Sequence, residues 1–272
     1  MLPDLARILT PEPRGHGHYT LAVPEGWHQG RGAFGGLVLG GMERAMEQAS
    51  TQDAQAVRAL RSLTGVLCGP VRVGEADISV ECLRRGSAVS TWHARLRQGD
   101  DVLAVATAVF GKDRPVSIPE SARGCLKPPA NLDWRSVDIV PISHPTAPDF
   151  ARFFEYRPTG PWPFSGSEEP LAEGFVRAKT RSPALGAAEV IALADTYWPA
   201  SLAAESQPRP MATISFTFQL LCDPSTLPPD EPLFHRGRAV AGAAGYMAEQ
   251  RELWTASGQL VALNPQTFVI IK

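Results

Sequence analysis

The feature that most limits what this chain can fold into is that it repeats itself. Gly35-Gly-Leu-Val-Leu-Gly-Gly-Met-Glu-Arg-Ala-Met opens an apolar, helix-like stretch, and about 151 residues later Gly186-Ala-Ala-Glu-Val-Ile-Ala-Leu-Ala-Asp opens another. Ser62-Leu-Thr64 leads within a few residues to Cys68, and Ser215-Phe-Thr217 leads to Cys222, an offset of about 153. Val102-Leu-Ala-Val-Ala-Thr and Leu260-Val-Ala-Leu-Asn-Pro close the two halves at an offset of about 158. Three markers in one order at nearly one offset indicate an ancient duplication, so the fold is one small unit made twice.

The unit boundaries follow from composition. Between Lys112 and Asp149 stand seven prolines, Pro115, Pro119, Pro128, Pro129, Pro141, Pro145 and Pro148. Proline fixes φ and removes a donor, so this stretch should be neither sheet nor helix. It reads as a surface linker, 112–149, anchored by Leu132, Trp134, Val137, Ile139 and Val140, between units 1–111 and 150–272. Each unit reads as a short strand (His18 to Val23; Arg152 to Arg157), a Gly- and Pro-rich loop, one helix (Gly36 to Ala49; Ala187 to Ala204), then a run of strands. In the first half these are about Leu60–Leu67, Glu75–Arg84, Val89–Arg97 and Leu103–Phe110. In the second they are about Met211–Leu221, Leu233–Ala241, Gly245–Thr255 and Leu260–Ile271. In Ala76-Asp-Ile-Ser-Val-Glu-Cys, Ile78, Val80 and Cys82 share one face. Consecutive antiparallel strands after one helix can wrap it, an α+β arrangement. The second helix is apolar nearly all round and belongs in a core; the first gains Glu43, Arg44 and Glu47 and should end wet.

Composition narrows the function classes. The net charge is −2 and the pI near 6.3, which gives no basic bias toward nucleic acid. No apolar run is long enough for a membrane span, and the N-terminus lacks the basic region of a secretory signal. Cys68, Cys82, Cys125 and Cys222 form no CxxC pair, so a reducing, cytoplasmic setting is expected. Cys68 and Cys222 fall on expected strands and read as core.

Asp195 is the residue that does not fit. Its helical neighbours at spacings of three and four are Ile191, Ala192, Trp198, Pro199 and Leu202. A buried, unpaired carboxylate is costly, so it needs partners or a raised pKa. Pro199 cannot bond the Asp195 carbonyl and should kink or end the helix. Asp195 is therefore a candidate base, or else a buried acid bonded to backbone groups that the kink frees. Thr213 begins a strand, where threonine is ordinarily a good β-former. Gln266 interrupts a strongly apolar ending, and Asn264-Pro265 just before it is unusual within a strand.

These residues resemble the double-hotdog acyl-CoA thioesterases, the group around bacterial acyl-CoA thioesterase II. The segments that carry the resemblance are Gly30-Arg-Gly-Ala-Phe-Gly-Gly, Ala194-Asp195, Ala212-Thr213-Ile214 and Leu260-Val-Ala followed by Gln266. The resemblance implies two hotdog units, each a sheet wrapped round a central helix. It implies that Asp195, Thr213 and Gln266 hold and activate a water that hydrolyses acyl-CoA to free acid and CoA, with no cofactor and no metal. Chemically, Asp195 would take the water's proton, and Thr213 and Gln266 could fix that water. The developing oxyanion needs donors, and the helix start at Phe34, Gly35 and Gly36 offers free N–H groups and a favourable dipole. His28 and Trp198 are further candidates for lining the site. Trp27, Phe34, Tyr197 and Trp198 would line an acyl tunnel, and Arg236 is among the arginines available to a phosphate-binding rim. The first half, with Ala-Thr-Ala-Val where Gln266 would lie, is not expected to hold a second site. A dimer of such double hotdogs is also expected.

Other readings are weaker. His16 and His18 form an HxH pair without further metal ligands placed by spacing. A hotdog hydratase needs a catalytic His, whereas Asp195 is followed by Thr-Tyr-Trp-Pro-Ala-Ser. Gly30, Gly32, Gly35 and Gly36 make no dinucleotide fingerprint, since no βαβ unit surrounds them. The alternative from another class is a non-catalytic acyl-CoA or acyl-group binder on the same fold, which would have no need to bring Asp195 and Gln266 together.

Overall fold

The computed structural model describes residues 4–52, 58–119, 124, 126–141, 147–180 and 182–271. Cys125 and Pro145 fall outside these residues. Among these residues, one antiparallel sheet of twelve strands carries the fold. In chain order the strands are β1 (Glu12–Gly15), β2 (His18–Val23), β5 (Ala59–Leu67), β6 (Gly74–Arg85), β7 (Val89–Gln98), β8 (Asp101–Gly111), β9 (Phe154–Pro158), β10 (Leu171–Ala178), β11 (Met211–Leu220), β12 (Leu233–Ala243), β13 (Tyr246–Trp254) and β14 (Leu260–Ile270). A two-stranded hairpin, β3 (His28–Gln29) with β4 (Gly32–Ala33), stands apart. The order across the sheet is β1-β2-β6-β7-β8-β5-β11-β14-β13-β12-β10-β9. Six strands come from each half, and β5 meets β11 at the seam. Thr64 pairs with Thr217 there, the two repeat markers meeting each other across the centre of the molecule.

Among the described residues, three α-helices accompany the sheet: α1 (Leu5–Ile8), α2 (Gly35–Gln52) and α3 (Ala187–Ala194). The long helices cross closely because small residues meet. A Cβ on Gly36 would lie 2.9 Å from Ala192 Cα, and one on Gly40 would lie 2.9 Å from the Ala188 carbonyl oxygen. The apolar faces of both sheet halves and both helices share one core, as expected of two wrapped units back to back.

The structure corrects several expectations. The second helix ends at Ala194, not Ala204, with Asp195 as its C-cap (φ −101°, ψ 1°). A turn follows and then a 3-10 segment, Ala200–Ala203. The expected strand from Arg152 is a 3-10 turn, Asp149–Phe153, before β9 begins. Strand β10 was not anticipated. Cys68 lies just beyond β5 and is exposed, and Cys222 lies beyond β11, half-buried; its thiol is pushed up to about 11 by burial. Neither is strand core. In the 112–149 segment, Leu132, Trp134 and Val137 pack on a second, small cluster of Phe175, Phe234 and Trp254. Val140 makes one backbone bridge to Tyr156. Ile139 is no anchor, being 50% exposed.

Glu43 does not sit on a wet helix end. It is 0% exposed, and among the described residues neither carboxyl oxygen has a hydrogen-bond partner. Burial, with Glu47 nearby, pushes its carboxyl well above the ordinary carboxylate range; Arg44 opposes this but is itself bound to Glu189 at 2.9 Å. A carboxyl raised on folding binds its proton more tightly in the native state, so stability is full below the unfolded pKa and is lost as pH climbs toward the folded one. Glu43→Gln removes that loss. Its Tm at pH 7.5 should rise by roughly 3 °C or more, and the gain should fade near pH 4 to 5; a thermal melt series over pH checks both.

Candidate active site

Asp195 owes its position to the end of α3. Pro199 cannot donate to its carbonyl, and the helix tightens: the Asp195 N–H donates to the Ala192 carbonyl at 3.1 Å. The side chain, 5% exposed, turns back over the start of α2. A Cβ on Gly35 would lie only 2.8 Å from Asp195 Oδ2, and the Gly36 N–H donates to the carboxylate. Glycine is thus needed at 35 for close approach, and an anion sits at the positive end of an 18-residue helix. The two halves of the chain meet at this point.

Gln266 joins the other groups. On β14, its Nε2 donates to Asp195 Oδ1 at 2.9 Å and to Asn264 Oδ1 at 2.7 Å. Its Oε1 accepts from Thr213 Oγ1 at 3.2 Å, with Thr213 on the neighbouring β11. Asn264 was missed in the sequence, yet it explains the odd Asn-Pro pair. The register of Phe216 with Gln266 and Gln219 with Leu263 places Thr217 opposite Pro265, which has no N–H to give. The Thr217 carbonyl accepts instead from Asn264 Nδ2 at 2.7 Å. That bond turns Asn264 Oδ1 toward Gln266, and so turns the Gln266 amide nitrogen toward Asp195. Burial pushes the Asp195 carboxyl up, while Arg251, Gln266 and the Gly36 N–H pull the other way; the net direction is upward. Such a carboxylate is closer to the working range of a general base than an exposed one.

The other candidates lie differently. The Phe34 ring is fully buried and stacked on Phe150 at 4.0 Å, and its N–H is already donated to the Trp27 carbonyl at 2.8 Å. It therefore supplies neither an oxyanion donor nor an open wall. Trp27 is stacked on Phe153 at 4.5 Å and Tyr197 on His235 at 4.7 Å, both buried, so neither lines a free channel. Trp198 is half-buried and stacks at 5.7 Å on Trp162, which is 46% exposed. His28 is half-buried on β3, and no hydrogen bond or ion pair among the described residues ties it to Asp195. Arg236 is spent on Glu173 at 2.8 Å and Glu252 at 3.4 Å, and is not available to a phosphate.

The comparisons with known proteins decide the family. Residues 23–111 match the acyl-CoA thioesterase N-terminal domain, and residues 122–270 match the acyl-CoA thioesterase C-terminal domain. The chain belongs to the acyl-CoA thioesterase family. It is a thioester hydrolase, with acyl-CoA as its substrate class. The second match begins inside the proline-rich segment. Solved structures agree on the fold. A hot dog fold protein of unknown function from Alicyclobacillus acidocaldarius superposes with a TM-score of 0.82 at 21% identity, covering 98% of each chain. The tesB protein of Mycobacterium avium subs paratuberculosis gives 0.77 at 17%, covering 100% of this chain and 99% of the other. An acyl-CoA thioesterase II from Mycobacterium marinum gives 0.69 at 16%, covering 98% of each. No curated protein matches the sequence. No helix among the described residues of this thioesterase is long and apolar enough to cross a membrane.

Proposed function

We propose that this thioesterase hydrolyses acyl-CoA by direct attack of a water held between Asp195 and Thr213, with Asp195 as general base. The observation that carries this reading is the Gln266 amide, bonded at once to Asp195 Oδ1 and Thr213 Oγ1. Because Thr213 gives its hydroxyl proton to Gln266, its oxygen is left to accept. Asp195 also accepts. A water between them points both hydrogens at the protein and turns a lone pair outward, toward a thioester carbon.

In the reaction, the water oxygen bonds to the carbonyl carbon as its proton passes to Asp195. The carbonyl oxygen gains the charge. With the Gly36 N–H committed to Asp195 and that of Phe34 to Trp27, the Gly35 N–H at the head of α2 is the donor for it. Collapse then breaks the C–S bond, and the proton held by Asp195 leaves with the CoA sulfur. Free acid and CoA result.

The test is thiol release from a panel of acyl-CoAs, acetyl to palmitoyl plus an aryl member, by wild type and Asp195→Asn. Turnover at some chain length that collapses in the variant supports the assignment and identifies the acyl class. Turnover indifferent to Asp195 removes it.

A further inference from the structure

Behind the water-binding face lies a buried ion pair that neither the repeat nor the family resemblance pointed to. Arg251 and Glu249 sit on β13 and are 1% and 3% exposed. Arg251 Nε donates to Glu249 Oε1 at 2.7 Å, and Arg251 Nη1 donates to the carbonyl of Ala194, the last residue of α3, at 3.2 Å. The same Nη1 lies 3.5 Å from Asp195 Oδ1. Glu249 Oε2 in turn accepts the Ala200 N–H at 2.7 Å. The pair therefore grips the chain immediately before Asp195 and again just past the turn that carries it. A cation at a helix C-terminus is electrostatically favourable. A fully buried ion pair is nevertheless a poor way to gain stability, because desolvation offsets most of the attraction.

The first half of the chain serves as an internal control. Arg251 pairs with Asn264, and in the first half Ala94 pairs with Ala106 at the matching place on β7 and β8. Gln266 lies opposite Phe216 across the strand pair next to the seam, and Ala108 lies opposite Leu63 in the equivalent pair. So Gln266 corresponds to Ala108, Asn264 to Ala106 and Arg251 to Ala94. The unit without the glutamine also lacks the arginine, although it folds with the same topology. The ion pair follows the chemistry and not the fold.

We propose that Arg251, braced by Glu249, is a positioning residue for thioester hydrolysis, fixing the aim of the Asp195 carboxylate from behind. The proposal rests on Asp195 being the base. The groups that face Asp195 are Arg251 and Glu249 from β13, Gln266 from β14, the Gly36 N–H from α2 and the Tyr156 phenol from β9, whose hydroxyl is donated to the Thr196 carbonyl at 3.1 Å. His235 on β12 is held neutral by burial and by Arg251. Arg251 is thus the one cation acting on Asp195 among the described groups. Removing it raises the pKa of Asp195, so the base form, and with it the acid limb of the rate profile, moves to higher pH.

The test is the pH dependence of acyl-CoA hydrolysis for wild type, Arg251→Met, Arg251→Lys and Glu249→Gln, repeated for Arg251→Met in an Asp195→Asn background. Arg251→Met should lower kcat about tenfold or more with KM nearly unchanged, and shift the acid limb up by about one pH unit or more. Arg251→Lys, which keeps the charge, should hold the limb near its wild-type position and recover much of kcat. In the Asp195→Asn background, Arg251→Met should cost almost nothing further. Should Arg251→Met fail to fold, Arg251→Lys and Glu249→Gln still decide: a lowered kcat with the limb in place for the lysine and with KM unchanged for both supports the proposal. An unmoved limb in Arg251→Met, or an undiminished further loss in the Asp195→Asn background, overturns it. Full activity in Asp195→Asn alone would instead strike the reading of Asp195 as the base.

Discussion

Asp195→Asn should reduce kcat for acyl-CoA hydrolysis by about 1,000-fold while leaving KM within a few-fold, the loss expected when a positioned base is removed. The fold should survive. Asparagine keeps an oxygen for the Gln266 Nε2 that donates to Asp195 at 2.9 Å, and a neutral side chain escapes the desolvation that pushes this carboxyl up. The sign of the stability effect follows. A carboxyl whose pKa is raised on folding loses stability as pH climbs from its unfolded pKa to its folded one, so the variant should melt no lower than wild type above that window. The activity profile runs in the opposite sense: wild-type kcat/KM rises with pH as Asp195 ionises, and the variant's residual rate should lack that limb. Steady-state kinetics over pH beside thermal melts would show activity and stability parting at one residue.

Gly35→Ala should have the second largest effect, about a 100-fold loss of kcat. The backbone at Gly35 has no left-handed φ, and alanine favours a helix over glycine by about 1 kcal/mol, so propensity alone predicts a gain in stability. The site predicts otherwise for activity. The new Cβ would lie 2.8 Å from Asp195 Oδ2 and 3.1 Å from Leu67 Cδ1. The carboxylate is the part that must yield, and Gln266 and Arg251 hold it on the other side. Gly36→Ala provides the contrast. Its Cβ would meet the Ala192 backbone at 2.9 Å and the Phe34 ring, so the helices must separate and Tm should fall. Kinetics and melts of both variants would test whether the two adjacent glycines have separate roles.

The fold was legible because duplication limits it so strongly: two copies of a helix followed by strands leave few arrangements. Asp195 stood out as a candidate because a lone acid in an apolar helix is costly enough to need a reason. Gln266 stood out as a polar break in an apolar ending and Thr213 as a polar strand start, but their role came only from the family resemblance, since each is ordinary by itself. What stayed hidden depended on tertiary cover. Glu249-Gln-Arg-Glu252 carries three charges in four residues and gives no sign of burial, yet Arg251 is 1% exposed, packed against the end of α3 and the Phe268 ring. Asn264-Pro265 was visible as an oddity, but its meaning needed the register that leaves the Thr217 carbonyl without a backbone donor. Strand β10 was masked by Gly174, a poor strand former that is needed there because a Cβ would run into the Tyr197 hydroxyl. Glu43 was misjudged for the same reason as Arg251: charge suggested solvent, and tertiary packing buries it completely.

A single turnover in ¹⁸O-labelled water, with enzyme in excess over the acyl-CoA, distinguishes attack by water from attack by a carboxylate. With water as the nucleophile, the first acid released carries one labelled oxygen and rapidly quenched enzyme shows no acyl adduct by intact mass. Unlabelled acid in the first turnover, or an acyl group trapped on the peptide containing Asp195, would contradict it.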